Sequence, residues 1–374
     1  VKRLLVLTSA TGAGHDTHAL ATAAWCARLY GTYVEVTIAH ALEESHAFYR
    51  LGVNFYNLIQ RRAPWFHHVY YNVIELLDAL NPGTVGLGRT HYVQLLKATR
   101  PDAILSVHDC LNRGYFEVAG EVLGPRVRCA TYCPEFEGGY GFSRNWVNPR
   151  ADFYFGRTAE TVREAQRRGA AHAVVGGHWA PPGFYDPAVK GAAQTRRELG
   201  LDPDRFTLLL STGGAGAQNH RRLLRALRPL QGRLQVVALC GRDDRERSEL
   251  EAWCAREPAL TVRCLGFSER MPDLLLAASV VVARAGATTA GEALLCGCPL
   301  IFNGLGGMMP QELPTWRYFR AREIGVAALG AGAVRDHVTR WLERPHELAA
   351  LRERAQRIRD GTTPQPALEL LLGM

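Results

Sequence analysis

The sequence predicts an α/β protein made of two doubly wound halves, each a parallel sheet with helices on both faces, facing each other across a cleft. Three observations lead there. Short apolar, β-branched runs alternate with helical stretches along the whole chain, the pattern of parallel sheets. The 374 residues exceed what one compact core holds, so two domains of about 150–200 residues are expected. A strand, a glycine-rich turn and a helix open each half, at residues 9–15 and again at 211–218.

The strands follow in order. In the first half the apolar runs 4–8, 34–38, 103–107, 127–132, 152–155 and 173–175 read as strands. In the second they are 207–211, 234–239, 261–265, 280–283 and 299–303, with helical patterns at 218–230, 245–256 and 289–296. Residues 176–183, Gly-Gly-His-Trp-Ala-Pro-Pro-Gly, are dense in helix and strand breakers and mark the boundary. The expected division is 1–177, a linker at 178–192, and 193–374, with the helical tail after 345 packing back on the first domain. Between 46 and 80 the strand pattern stops. Phe48, Leu51, Phe55, Leu58 and Ile59 recur at helical spacing, closed by Arg61 and Arg62, amid Tyr49, Tyr56, Trp65, Phe66, Tyr70 and Tyr71. Two readings stay open for this segment: a buried helical pair, or an exposed aromatic surface for an interface or a lipid.

Composition narrows the function. Hydrophobic residues are 47% and charged residues 21%, a globular balance that excludes disordered and collagen-like classes. No apolar run reaches the roughly 18 residues of a membrane span. The opening Val1-Lys2-Arg3-Leu4 reads as a first strand and not as a signal peptide. The net charge of +8 is carried almost wholly by arginine and is spread along the chain, against a dedicated nucleic-acid tail. An anionic substrate or membrane surface remains open. The nine cysteines are irregularly spaced, with no zinc-site pattern, and read as reduced thiols of a cytoplasmic protein.

Four motifs carry chemistry. The first is Ser9-Ala10-Thr11-Gly12-Ala13-Gly14-His15. Its glycines permit a tight turn into a helix, and a histidine in the first helical turn faces the crevice at the strand carboxyl ends. There a side chain that titrates near neutrality suits general-base work. Asp16-Thr17 breaks the G-x-G-x-x-G pattern, so a dinucleotide site is disfavoured. The second, Ser211-Thr212-Gly213-Gly214-Ala215-Gly216, suits a diphosphate held by backbone amides. The third is Arg284-Ala285-Gly286-Ala287-Thr288-Thr289, another helix start, with Glu292 one turn in, placed to accept two ribose hydroxyls. The fourth, Gln311-Glu312, pairs an amide with a carboxylate, a combination that binds vicinal sugar hydroxyls.

Taken together these residues resemble glycosyltransferase family 28 with a GT-B fold, two facing Rossmann-like domains, and within it the monogalactosyldiacylglycerol synthases and processive diacylglycerol glucosyltransferases. The resemblance runs from Leu4 to about Phe319. It is most specific from Leu265-Gly266-Phe267-Ser268 through Arg284-Ala285-Gly286, Glu292, Pro299 and Gln311-Glu312, with Cys240-Gly241-Arg242-Asp243 and Pro101-Asp102-Ala103-Ile104 beside it.

The resemblance implies an inverting transfer of a hexose from a UDP-sugar to the hydroxyl of a lipid acceptor such as diacylglycerol. No essential metal or other cofactor is implied, and the single D-x-D, Asp202-Pro203-Asp204, falls in a turn. His15 would be the base, with Glu135 or Glu137 replacing a carboxylate that the family carries where Tyr132 stands here. Gly213, Gly214, Gly216, Thr288 and Thr289 would hold the diphosphate, backbone near Phe267 and Ser268 the uracil, Glu292 the ribose, and Gln311 with Glu312 the sugar. Gly12, Gly14, Phe55, Trp65, Phe66 and His108 would lie on the acceptor side, with the protein resting on the inner face of an anionic cell membrane. Three further departures are Pro310, the stretch Leu313-Pro314-Thr315, and His178-Trp179 where the family has Ile-Pro. They leave open a transferase of specialised metabolism acting on a phospholipid-like or polyprenyl-linked precursor, a nucleotide-sugar epimerase, or a non-catalytic nucleotide-sugar-binding subunit.

Overall fold

The structure, a computed structural model, describes residues 1–80, 85–186, 191–211, 219–256, 260–359 and 361–374, with backbone alone at 78–80. It divides into two compact units: residues 1–182 with 309–314 and 361–374, and residues 183–308 with 315–359.

The first unit is a six-stranded sheet: β1 (Lys2–Thr8), β2 (Val34–His40), β3 (Ala103–Ser106), β4 (Arg128–Cys133), β5 (Phe153–Gly156) and β6 (Ala173–Val175), in the order β2-β1-β3-β4-β5-β6. All five pairings are parallel. β1 is central, and Leu4, Leu5, Val6 and Leu7 are wholly buried, which is why it reads as a continuous apolar run. One face is sealed by Tyr92, Leu96, Leu111, Tyr115 and Phe116. The order reverses between β1 and β3, so the first unit's ligand crevice lies beyond Thr8 and Ser106.

The second unit contains β7 (Phe206–Ser211), β8 (Leu234–Leu239), β9 (Thr261–Leu265), β10 (Val280–Ala283), β11 (Leu300–Asn303) and β12 (Gly325–Ala328), in the order β12-β11-β10-β7-β8-β9. All pairings are again parallel. This is the Rossmann order, with its reversal between β7 and β10. Leu208, Leu210, Val236, Val280, Val282 and Ile301 form the core with Leu223, Leu224, Val334 and Trp341 from the covering helices. Every strand read from the sequence is present. β12 was not foreseen: Gly325-Val326-Ala327-Ala328 has one branched residue and begins with glycine.

The helix Gln365–Leu372 belongs to the first unit, where it packs on β4 and on the helix Gly14–Tyr30. Leu368 and Leu371 are buried, and Arg128 Nη1 donates to Leu370 O. The segment read as the start of a linker is built into the same unit. Trp179 is fully buried and stacks on Tyr132 at 4.4 Å, and Trp25 Nε1 donates to Ala180 O. Residues 187–190 of that segment lie outside the described residues.

Candidate active site

The first crevice is built around His15, in the first turn of the helix Gly14–Tyr30. Its Nδ1 lies 2.8 Å from Val107 O, just past β3. A carbonyl only accepts, so Nδ1 carries the proton and donates, and neutral His15 keeps its lone pair on Nε2. The imidazole stands 4.3 Å from that of His108 and 6.0 Å from the Trp146 ring. His108 Nδ1 accepts from Cys110 N, which places its proton on Nε2, 2.6 Å from Thr11 Oγ1. Burial and then the nearby His15 push the His108 pKa well below the usual imidazole value. His108 is therefore neutral, with both nitrogens engaged. Among the described residues, His108, Asp109 and Cys110 are the one group close enough to share a metal ion. Their geometry is instead a closed turn, Cys110 N donating to both His108 Nδ1 and Asp109 Oδ1.

Gly12 turns the chain at φ +71°, a conformation that side chains other than glycine's disfavour. Two of the turn's amides are already used. Ala10 N donates to Glu43 Oε1 at 2.7 Å, and Gly12 N donates to Asn57 Oδ1 at 2.9 Å. Asn57 Nδ2 donates back to Ala10 O at 2.9 Å. These bonds fix the shape of the turn that leads into His15. Asp16 accepts from Thr8 Oγ1 and lies 3.0 Å from His40 Nε2, bracing the helix start against β1 and β2.

Asn57 belongs to the helix Ala47–Arg62, whose first turn is capped by His46 Nδ1. The two readings of this segment resolve by face. Val53 and Ile59 are buried, while Phe48, Leu51, Phe55, Leu58 and, beyond the helix, Trp65, Val69, Val73 and Leu76 are exposed. Phe66 is half-buried, and Arg61 and Arg62 are exposed at the helix end.

Gln311 and Glu312 also fall in the first unit, in the short turn Pro310–Glu312. Gln311 Nε2 donates to Tyr56 OH at 2.7 Å, and Gln311 Oε1 is buried without a hydrogen-bond partner. Glu312, almost fully buried, accepts from Met309 N at 2.8 Å. A Cβ at Gly141 would overlap Pro310 O, so glycine there lets the 138–146 loop close on this turn. Glu135, also buried, follows β4 and adds to the upward shift that burial imposes on Cys133 and Tyr154. Glu137 is half-buried.

In the second unit, Gly213, Gly214 and Gly216 lie outside the described residues. The strand-end reversal is marked by Thr288 and Thr289, in the first turn of the helix Ala287–Leu295 after β10. Its N-cap, Gly286, supplies no side-chain cap, so the leading amides present the positive end of the helix dipole. Glu292 is buried further along the same helix. Arg284 ties this loop to the next by donating to Leu305 O and Gly307 O. Phe267, half exposed beyond β9, carries the Arg242 guanidinium 4.0 Å above its ring, and Ser268 Oγ accepts from Arg270 N. Asp202 spends one carboxylate oxygen on Asp204 N and the other on Arg205, closing its own turn.

The sequence does not mark Asn57 or Glu43 as site residues, and shows Tyr56 and Val107 only as part of the aromatic segment and of a strand. Asn57 alone left a signal, a polar residue opposite the apolar stripe of an amphipathic helix.

Two Rossmann-type units, each with its crevice at the carboxyl ends of parallel strands, define the GT-B class. Residues 207–303 match the glycosyltransferase family 28 C-terminal domain, so the second unit carries the domain of the family that the motifs resemble. Monogalactosyldiacylglycerol synthase 1 of Arabidopsis thaliana is 26% identical over 317 residues, covering 81% of this chain. The chain spans 58% of that enzyme's length. Processive diacylglycerol beta-glucosyltransferase of Staphylococcus saprophyticus is 25% identical over 288 residues, covering 76% of this chain and 70% of its own. Among solved structures, MurG of Acinetobacter baumannii superposes with a TM-score of 0.65 at 16% identity over the full length of both chains. HepE of Anabaena, in complex with UDP and glucose, gives 0.58 at 17%, also over both full lengths. These two share the fold. No helix among the described residues is long and apolar enough to cross a membrane.

Proposed function

We propose that the protein is an inverting, metal-independent hexosyltransferase that moves sugar from a UDP-sugar to the hydroxyl of a membrane-borne lipid such as diacylglycerol. The observation that carries this reading is the Nδ1–H of His15 donating to Val107 O. It leaves Nε2 as the base at the first unit's crevice, where an acceptor hydroxyl would lose its proton while attacking the anomeric carbon. The nucleotide is assigned to the second unit. Helix-start amides at Thr288 and Thr289, with Gly213, Gly214 and Gly216, would take the charge of the leaving diphosphate. Phe267 and Ser268 would meet the base, Glu292 the ribose, and Gln311 with Glu312 the sugar. Glu135 or Glu137 supplies the carboxylate missing at position 132. The exposed face of Phe48, Leu51, Phe55, Leu58 and Trp65, bordered by Arg61 and Arg62, would rest on an anionic bilayer at the cytoplasmic face. Support for a lipid acceptor also comes from the names of the galactolipid and glucolipid synthases that the chain resembles.

The test is transfer from UDP-glucose, UDP-galactose or UDP-N-acetylglucosamine to diacylglycerol in phosphatidylglycerol vesicles, with EDTA present, read by mass spectrometry of the lipid and by proton NMR of its anomeric centre. A glycosylated lipid of inverted anomeric configuration is expected. His15→Ala should lower turnover by about two to four orders of magnitude with UDP binding intact. Undiminished turnover in that variant removes His15 from the mechanism.

A further inference from the structure

The helix Ala47–Arg62 does two things at once. One face carries the exposed apolar residues Phe48, Leu51, Phe55 and Leu58. At about 100° per residue, Asn57 stands about 180° around the helix from Phe48. From that opposite face it grips the turn leading to His15 at two points, accepting from Gly12 N and donating to Ala10 O, each at 2.9 Å. One neighbour reinforces the grip: the Gln60 side chain lies against Gly12, while Tyr56 OH ties the same helix to Gln311 Nε2. Among the described residues the turn is otherwise held by Ala10 N on Glu43, Thr11 Oγ1 against His108 and Thr17 Oγ1 on Ala13 O, and the His15 ring itself by Val107 O. A single rigid helix therefore joins the exposed apolar face to the backbone that aims His15.

We propose that Asn57 is a positioning residue that couples membrane docking of this helix to the catalytic turn. Seating the apolar face on a bilayer fixes the helix, and Asn57 passes that constraint to Gly12 and Ala10, holding Nε2 of His15 toward the acceptor hydroxyl. The inference rests on the functional reading above and goes beyond it. It makes the lipid surface an activator of the base as well as the place where the acceptor is found.

The experiment compares wild type, Asn57→Ala and Asn57→Asp. Aspartate keeps the acceptor for Gly12 N and loses the donor to Ala10 O. Turnover is measured on long-chain diacylglycerol in phosphatidylglycerol vesicles and on dissolved dioctanoylglycerol. Vesicle flotation, UDP affinity and hydrogen exchange across residues 9–15 are read in parallel. Wild type should turn over several-fold faster on vesicles, and vesicles should slow exchange in 9–15. Asn57→Ala should float as wild type does and keep its KM for donor within about twofold, yet lose kcat on vesicles by about 10- to 100-fold. The vesicle advantage and the vesicle-induced slowing of exchange should both disappear, with Asn57→Asp recovering part of each. The proposal falls if Asn57→Ala retains the vesicle advantage and the slowing, or if it no longer floats. Wild type that glycosylates no lipid refutes the functional reading instead. In that case, vesicle-slowed exchange that depends on Asn57 still upholds the coupling, and its absence overturns it.

Discussion

Acid should unfold the first unit through His18, one turn beyond His15. His18 is fully buried, and its Nδ1 donates to Trp179 O at 2.8 Å. Burial, followed by the charge of Arg157, lowers its pKa from 6.5 to about 3. In the unfolded chain the ring titrates near 6.5. Because the folded value is the lower one, the unfolded state binds the extra proton between them, and stability rises with pH across that window. The contribution is complete above about pH 6.5 and is lost as pH falls toward 3. At pH 5 the unfolded ring is favoured by about 1.5 log units, or about 2 kcal/mol, against almost nothing at pH 7.5. Any folded value below about 4 gives the same result at pH 5. His178, whose ring is 6.0 Å away, is lowered by burial and by the same Arg157, so the whole protein should lose more than His18 accounts for. The assay is urea unfolding between pH 7.5 and 5.0, comparing wild type with His18→Asn, which keeps a donor for Trp179 O. The variant should start less stable at pH 7.5 and lose about 2 kcal/mol less than wild type on acidification. Parallel pH curves for the two proteins would refute the assignment.

Other expectations are as concrete. Phe267→Ala or Arg242→Ala should weaken UDP binding by about tenfold, because an exposed ring under a guanidinium is a stacking surface for a base; calorimetry reads it, and unchanged affinity moves the nucleoside elsewhere. Phe55→Glu combined with Trp65→Glu should abolish vesicle flotation while leaving the melting temperature within a few degrees, since both side chains are exposed. Flotation equal to wild type would place the membrane contact on another surface.

What the sequence disclosed follows from where its information is local. A parallel strand buried on both faces must be apolar throughout, so β1 and β7 declare themselves in Leu4–Leu7 and Leu208–Leu210. Glycine-rich turns mark where the backbone bends sharply, so His15 could be placed at a crevice before its neighbours were known. The neighbours themselves come from afar. Val107 meets His15 across 92 positions and Gln311 meets Tyr56 across 255, and no local pattern reports either. The turn Pro310–Glu312 was read with the second half because it follows β11 directly, yet its side chains pack in the first unit. β12 failed for the opposite reason: a short strand of small residues carries too little hydrophobic signal to stand out.

Two departures from the family pattern explain each other. Tyr132 replaces a carboxylate on β4, and Trp179 stands in what looked like a hinge. Their rings stack at 4.4 Å with only 12° between planes. The Tyr132 hydroxyl donates to Gly177 O and accepts from Trp179 N, while Trp179 Nε1 donates to Gly176 O. A carboxylate at 132 has no ring to stack and, when ionised, no proton for Gly177 O. An aliphatic residue at 179 would empty the largest fully buried side-chain site among the described residues. Each residue thus supplies the surface the other needs, and the pair anchors the 176–180 segment within the first unit. Position 132 is committed to packing and carries no charge toward the crevice. The carboxylate of the proposed transfer is therefore assigned to the stretch just after β4, where Glu135 is buried and Glu137 half-buried.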